Sequence, residues 1–224
     1  MLRRGAGVGA MRILNSAVRS DLEAGRKLQL NLGCGLRRLP GYYNVDRVPL
    51  PGVDILADLE APLTDLPDDS VEAVYCRHTL EHVTNLLGLL GELHRVTHPD
   101  GRLEVIVPHF SNPYGYSDPT HVRFFGLYSF YYLAEESDQP RRKVPNFYLA
   151  QRFRVEHVRF NLLKTSVADR LVRAVMQPLI NQGVGWLDWY ERRLCRLWPA
   201  EEILWLLRPL KPAAGSGERN VAAA

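Results

Sequence analysis

From residue 27 onward, short apolar runs alternate with polar turns, and many of the runs end on a glycine, an acid or a histidine. Leu28, Leu30 and Leu32 alternate with Gln29 and Asn31, and Gly33-Cys34-Gly35 follows. This predicts a buried parallel strand over Lys27–Leu32 that opens into a glycine turn. Tyr42–Asp46 predicts a second strand and Val53–Asp58 a third, each closing on an aspartate. Only ten residues separate Gly35 from Asp46. A full crossover usually needs a dozen or more, so the helix expected after Gly35 is a one-turn stub stopped at Pro40.

Val71–Cys76 reads as a fourth strand. Leu86, Leu89, Leu90, Leu93 and Val96 share one helical face and predict a helix over Asn85–Val96. Arg102–Val107 predicts a fifth strand and Phe153–Leu163 a sixth. Glu202–Leu210 fits a last strand or a short helix, and the strand is preferred because a returning edge strand completes a sheet. Further helices are expected within Ile13–Leu22, within Phe124–Leu133, and across Ala168–Trp198, the last broken near Pro178 and Gly183-Val184-Gly185.

Strands separated by helical or irregular connections imply a three-layer α/β sheet, largely parallel. Right-handed crossovers then gather the strand ends on one rim. Gly33–Gly35, Asp46, Asp58, Arg77-His78 and His109 all fall there, and such a rim is where open α/β sheets bind cofactors. Composition is that of an ordinary globule, 46% hydrophobic and 24% charged. The net charge of +3 is too small to argue for nucleic acid. Three widely spaced cysteines form no disulfide framework and suit a reducing cytoplasm. No apolar run approaches a membrane span.

The chemistry of the rim narrows the ligand. Arg38 breaks the GxGxxG fingerprint, and Asp46 lies closer to the glycines than a nicotinamide ribose acid does, which disfavours NAD. A carboxylate at a strand end can still accept from two adjacent ribose hydroxyls, a role open to Asp46. Asp58 could meet an adenine amino group, with Leu59 covering the ring. Either acid could instead be a turn or cap residue.

Leu30-Asn31-Leu32-Gly33-Cys34-Gly35, Asn44-Val45-Asp46, Ala57-Asp58-Leu59, the run Val74–Val83 and the run Glu92–Leu103 together resemble the class I S-adenosylmethionine-dependent methyltransferases of the type-11 branch. The resemblance covers about residues 27–110. It implies a Rossmann-like, seven-stranded, mostly parallel sheet with an antiparallel last strand, and S-adenosyl-L-methionine as cofactor. It places Gly33, Cys34 and Gly35 under the methionine end, Asp46 at the ribose, Asp58 and Leu59 at the adenine, and Arg77 and His78 on the cofactor's other side. Asn31 stands where the family often has an acid, so any contact from it to the cofactor's ammonium is weaker.

A short arm (1–24) then precedes one domain (25–211), within which residues 108–135 read as a lid over the acceptor and 165–198 as a helical insertion; a disordered tail (212–224) follows. A hydroxyl acceptor must lose a proton, for which His109, Asp118 and His121 are candidates, with His82 behind them. Phe110, Tyr114 and Tyr116 are candidates to stack on a sugar or face the cofactor's cation. The expected acceptor is a small molecule, a saccharide or a lipid-linked glycan. Trp186, Trp189, Trp198 and Trp205 among arginines give the segment 184–208 the look of an interfacial helix, and a helix packed on the sheet or a dimer contact accounts for them equally well; a cytoplasmic protein is expected, with peripheral membrane contact as one option. Two other readings stand beside this one. A non-catalytic adenosyl-cofactor binder would keep the glycines and Asp46. A zinc hydrolase would use His78-Thr79-Leu80-Glu81-His82 as an HxxEH motif, which needs a helix and a third ligand. No metal is expected.

Overall fold

The computed structural model describes residues 11–211. The expectations for residues 1–10 and for the tail 212–224 lie outside the described residues. Eight strands form one sheet: β1 (Arg12–Ile13), β2 (Leu28–Leu32), β3 (Tyr43–Asp46), β4 (Ile55–Leu56), β5 (Val71–Arg77), β6 (Thr97–Pro108), β7 (Arg152–Leu162) and β8 (Ala200–Leu210). Their order across the sheet is β1-β4-β3-β2-β5-β6-β8-β7. β4, β3, β2, β5 and β6 are mutually parallel. β8 is antiparallel to both β6 and β7, and so is the returning strand inserted between them.

The sheet therefore has eight strands where seven were expected. The additional one is β1, antiparallel to β4 at the sheet edge. Two residues are too few to show an alternating pattern, and β1 is held by the N–H groups of Leu14 and Asn15 on the Asp54 carbonyl. β4 is likewise shorter than the run Val53–Asp58.

Helix α1 (Ser16–Glu23) starts at Asn15, whose side chain accepts from the Ala17 N–H. α2 (Leu86–Val96) follows Asn85 and buries Leu89, Leu90, Leu93 and Val96 against the sheet. α3 (Val167–Ile180) and α4 (Val184–Arg193) lie between β7 and β8. A Ser166–Asp169 capping box starts α3. α3 ends at Ile180, two residues after Pro178, and α4 starts after Gly183, so the segment is broken where expected.

Two expected helices are not formed. No helix follows Gly35. The Arg38 guanidinium bonds the Gly35 and Pro51 carbonyls, and the Asn31 amide takes the Arg37 carbonyl, so side chains satisfy what helical bonds would. The stretch Phe124–Leu133 forms tight turns and one 3-10 turn at Tyr131–Leu133. Its Gly126 N–H is taken by Ser129 Oγ and its Leu127 N–H by Glu191, while Phe125 and Phe130 pack on the buried Trp205.

Candidate active site

β2 ends at Leu32, and the chain turns at Gly33 and Gly35 with φ of +59° and +51°, conformations that favour glycine. A Cβ on Gly33 would lie 2.3 Å from the Thr79 side chain. Thr79 Oγ1 in turn donates to the Leu32 carbonyl at 3.2 Å. A Cβ on Gly35 would meet nothing within 4 Å, so that side of the turn is open. The Cys34 N–H donates to the Val45 carbonyl and ties the turn to β3. Asn31 is buried beneath it, its amide on the Arg37 carbonyl and on Asn44 Oδ1, both at 2.9 Å.

Asp46 closes β3 beside this turn. Its Oδ2 accepts the Gly35 N–H at 2.8 Å and its Oδ1 the Val48 N–H at 3.0 Å. Each carboxylate oxygen retains a second lone pair for an added donor. Asp58 follows β4 and accepts the Glu60 N–H at 3.1 Å. Glu60 accepts the N–H groups of Thr84 and Asn85, which draws the loop after β4 onto the start of α2. Gly33, Asp46, Asp58, Leu59, His78 and His82 line one crevice of about 270 Å³, together with Thr79 and Thr120.

At the end of β5, His78 sits at φ +52°, an uncommon conformation for a non-glycine residue. Its Nε2 lies 3.1 Å from Glu202 Oε2, and Arg77 donates to the same oxygen at 2.9 Å. The hydrogen bond to Glu202, with the Glu81 carboxylate second, raises the His78 pKa to about 9. Burial works against the charge on Glu202, yet His78, Asn161 and Arg77 keep its carboxyl below the usual range. Arg77 is thus held toward β8, outside the crevice lining, and so are Cys34 and Asn31.

The segment after β6 folds back over the crevice mouth. The Val122 N–H donates to the Glu81 carbonyl, and Thr120 Oγ1 is 2.8 Å from His82 Nδ1 and 2.6 Å from Asp118 Oδ1. Hydrogen bonds from the Thr120 hydroxyl and N–H hold the Asp118 carboxyl below its ordinary range. His121 Nδ1 meets the Gly115 carbonyl at 2.8 Å, and the His82 and His121 rings meet edge-on at 4.8 Å. The three candidates Asp118, His121 and His82 therefore come together. His109 does not join them. It is fully buried, with Nδ1 accepting the Ser111 N–H at 3.0 Å and Nε2 3.1 Å from Glu191. Burial first, against Glu191, lowers its pKa. Phe110 stacks on His109 and Tyr116 on Phe124, while Tyr114 is exposed; none lines the crevice.

Thr79 and Glu202 were not singled out from sequence, and Glu81 entered only as the glutamate of the HxxEH run. Glu202 carried a signal all the same: an acid opening the apolar run Ile203–Leu207 of the expected last strand. Leu80–His82 is a 3-10 turn, so His78 and His82 do not share an α-helical face as an HxxEH site requires.

Residues 30–105 match the family model of the methyltransferase domain. This segment is similar to that domain. It spans β2 to β6 and holds Gly33, Asp46, Asp58, Leu59, His78 and His82. No curated protein matches the chain significantly. Among solved structures, the complex of the Haloferax volcanii Trm112 methyltransferase activator with a candidate methyltransferase aligns at TM-score 0.50 and 12% identity, over 83% of each chain, which shows the fold. A candidate methyltransferase from Bacillus halodurans aligns at 0.49 and 16% identity, covering 87% of this chain and 99% of its own. An S-adenosylmethionine-dependent methyltransferase from Archaeoglobus fulgidus aligns at 0.45 and 18% identity, covering 86% and 91%. The methyltransferase domain implies S-adenosylmethionine as methyl donor, and its residues fit that group. The Gly35 face is open where any side chain would intrude, and Asp46 offers paired acceptors beside it.

Proposed function

We propose that the protein transfers a methyl group from S-adenosylmethionine to a hydroxyl of a small-molecule, saccharide or lipid-linked acceptor. The observation that carries this reading is the convergence of Gly33, Asp46 and Asp58 on one crevice. Asp46 binds the two ribose hydroxyls, Asp58 the adenine amino group, and Leu59 covers the ring. The Gly33–Gly35 turn lets the methionine end pass close to the backbone. Bound there, the cofactor supplies an electrophilic methyl group. His82, Asp118 and His121 stand at the mouth, where they orient an acceptor hydroxyl and take up its proton. Asp118, anionic at neutral pH, keeps the pair of imidazoles polarised.

One observation favours a lipid-linked acceptor. Val167, Leu171, Val175 and Leu179, spaced by four along α3, are exposed, and so are Trp186, Trp189, Leu197 and Trp198, in a stretch of chain that also carries Arg192, Arg193 and Arg196. Apolar and cationic side chains so mixed suit an anionic lipid surface. No described helix is long and apolar enough to cross a membrane. Trp205 takes no part, being buried in the sheet.

Transfer of labelled methyl to a panel of saccharides, lipid-linked glycans and small hydroxyl compounds tests the reading, with vesicle co-sedimentation beside it. Turnover on a hydroxyl acceptor that falls at least tenfold in Asp118→Asn is expected, with binding to anionic and not to zwitterionic vesicles. Cofactor binding with no transfer to any member of the panel would favour the non-catalytic binder instead.

A further inference from the structure

At the crevice mouth two imidazoles and a buried carboxylate converge. One ligand-capable atom from each of Glu81, His82 and His121 lies within 4.8 Å of the other two. We propose that these three residues bind a divalent transition-metal ion of the zinc class, with a remaining coordination position toward the crevice.

The donor chemistry supports this from three directions. Glu81 is 1% exposed, and neither of its carboxylate oxygens has a hydrogen-bond partner. A carboxylate buried in this way is costly until a cation meets it closely; the His78 imidazolium, itself bonded to Glu202, faces it only from 3.6 Å. The nearest ring nitrogens, His78 Nδ1 at 3.6 Å and His121 Nε2 at 4.0 Å, stay beyond hydrogen-bond length.

Second, the hydrogen bonds fix both tautomers. His121 Nδ1 faces the Gly115 carbonyl, which can only accept, so Nδ1 carries the proton and Nε2 presents its lone pair on the side of Glu81. Thr120 gives its hydroxyl hydrogen to Asp118 and therefore accepts from His82 Nδ1–H, leaving the His82 Nε2 lone pair available. Metal-binding histidines are generally oriented by such partners on the opposite nitrogen.

Third, two imidazole nitrogens and one carboxylate oxygen make the three-ligand set of zinc sites that keep a position open. Donors at about 2.0–2.2 Å from such an ion lie about 3.5 Å apart, so the present spacing closes by roughly an ångström of side-chain rotation. The set differs from the HxxEH pairing, since His78 is turned to Glu202 and His121 comes from the segment folded over the mouth. His82 and Thr120 line the crevice, so the open position borders it.

Metal binding stands on the donor set alone. Its consequence for catalysis rests on the methyltransferase reading. An acceptor hydroxyl in the open position would lose its proton more readily, because the cation stabilises the alkoxide. With both Nε2 atoms engaged, the proton passes to Asp118, whose Oδ2 is 3.8 Å from His121 Nε2.

Calorimetric titration of chelator-treated protein with Zn2+, paired with optical titration by Co2+, tests the site. One equivalent of each ion is expected, with visible Co2+ bands of a four- or five-coordinate site. Glu81→Gln and His121→Ala should weaken Zn2+ binding at least tenfold, and Thr120→Val by about tenfold through the His82 ring. His98→Ala, outside the cluster, should leave it unchanged. Circular dichroism checks folding, and Thr120→Val keeps the test informative should Glu81→Gln fail to fold. Absence of binding by the wild type, or equal binding by wild type and His121→Ala, overturns the proposal. Titration of the same preparation with S-adenosylmethionine separates the two readings. Metal uptake without cofactor binding would overturn only the methyltransferase reading, and cofactor binding without metal uptake only the metal site.

Discussion

Gly33 and Gly35 have the same backbone conformation and different surroundings, so they should respond differently to the same change. Gly33→Ala places a methyl within 2.3 Å of Thr79, which also caps Leu32. With its positive φ added, the substitution should cost about 2–4 kcal/mol of stability. Gly35→Ala meets open space and should cost only about 1 kcal/mol, while narrowing the cofactor's path. Urea denaturation of the two variants measures the difference directly. Histidine burial gives a pH signature at the same scale. Burial depresses His109, and likewise His94 despite its bond to the Leu210 carbonyl. At these two rings the unfolded chain binds more protons near and below pH 6.5 than the folded one, so their contribution to stability falls as pH drops from about 7 to 5.5, against the opposite slope of His78, whose unfolded ring gains its proton in the same window. His109→Asn should flatten that slope in thermal melts; an unchanged slope would contradict the assignment. Glycines and strand-end acids were readable from sequence because their chemistry is local. Glu202 was not, because its partners arrive from distant chain: it meets Arg77 across 125 residues.

At the scale of elements, β8 does more than complete the sheet. It brings Glu202 to the ends of β5 and β7, where Arg77, His78 and Asn161 meet it. Glu202→Ala leaves two cationic groups facing each other at the crevice rim. The loss should be about 2 kcal/mol, below the figure for a fully buried pair because Arg77 and His78 are partly exposed. Glu202→Gln should cost less, since it keeps an acceptor; denaturant titration of both variants checks the order. The long strands and α2 were legible from period and capping. β1 was not, because two residues carry no period. The expected helix at Phe124–Leu133 failed because its aromatics point to several partners rather than to one face, as Phe125 and Phe130 on Trp205 illustrate. The stub after Gly35 failed because Arg38 and Asn31 capture its carbonyls.

For the molecule as a whole, the parallel strands place a glycine turn and two aspartates on one rim, and the chain after β6 brings Asp118 and His121 over it. This is the arrangement a cofactor-dependent transferase needs: one wall to hold a nucleoside, a mouth to hold the second substrate. The proposed acceptor side is less legible than the cofactor side, since the residues proposed for it come from irregular chain with no period to read. Isothermal titration of S-adenosylmethionine into the wild type and Asp46→Ala tests the central claim most directly. The account predicts saturable one-to-one binding by the wild type, weakened on the order of 100-fold in Asp46→Ala through loss of two charge-assisted hydrogen bonds. Absence of binding by the wild type, or equal affinity in a folded Asp46→Ala variant, would contradict it.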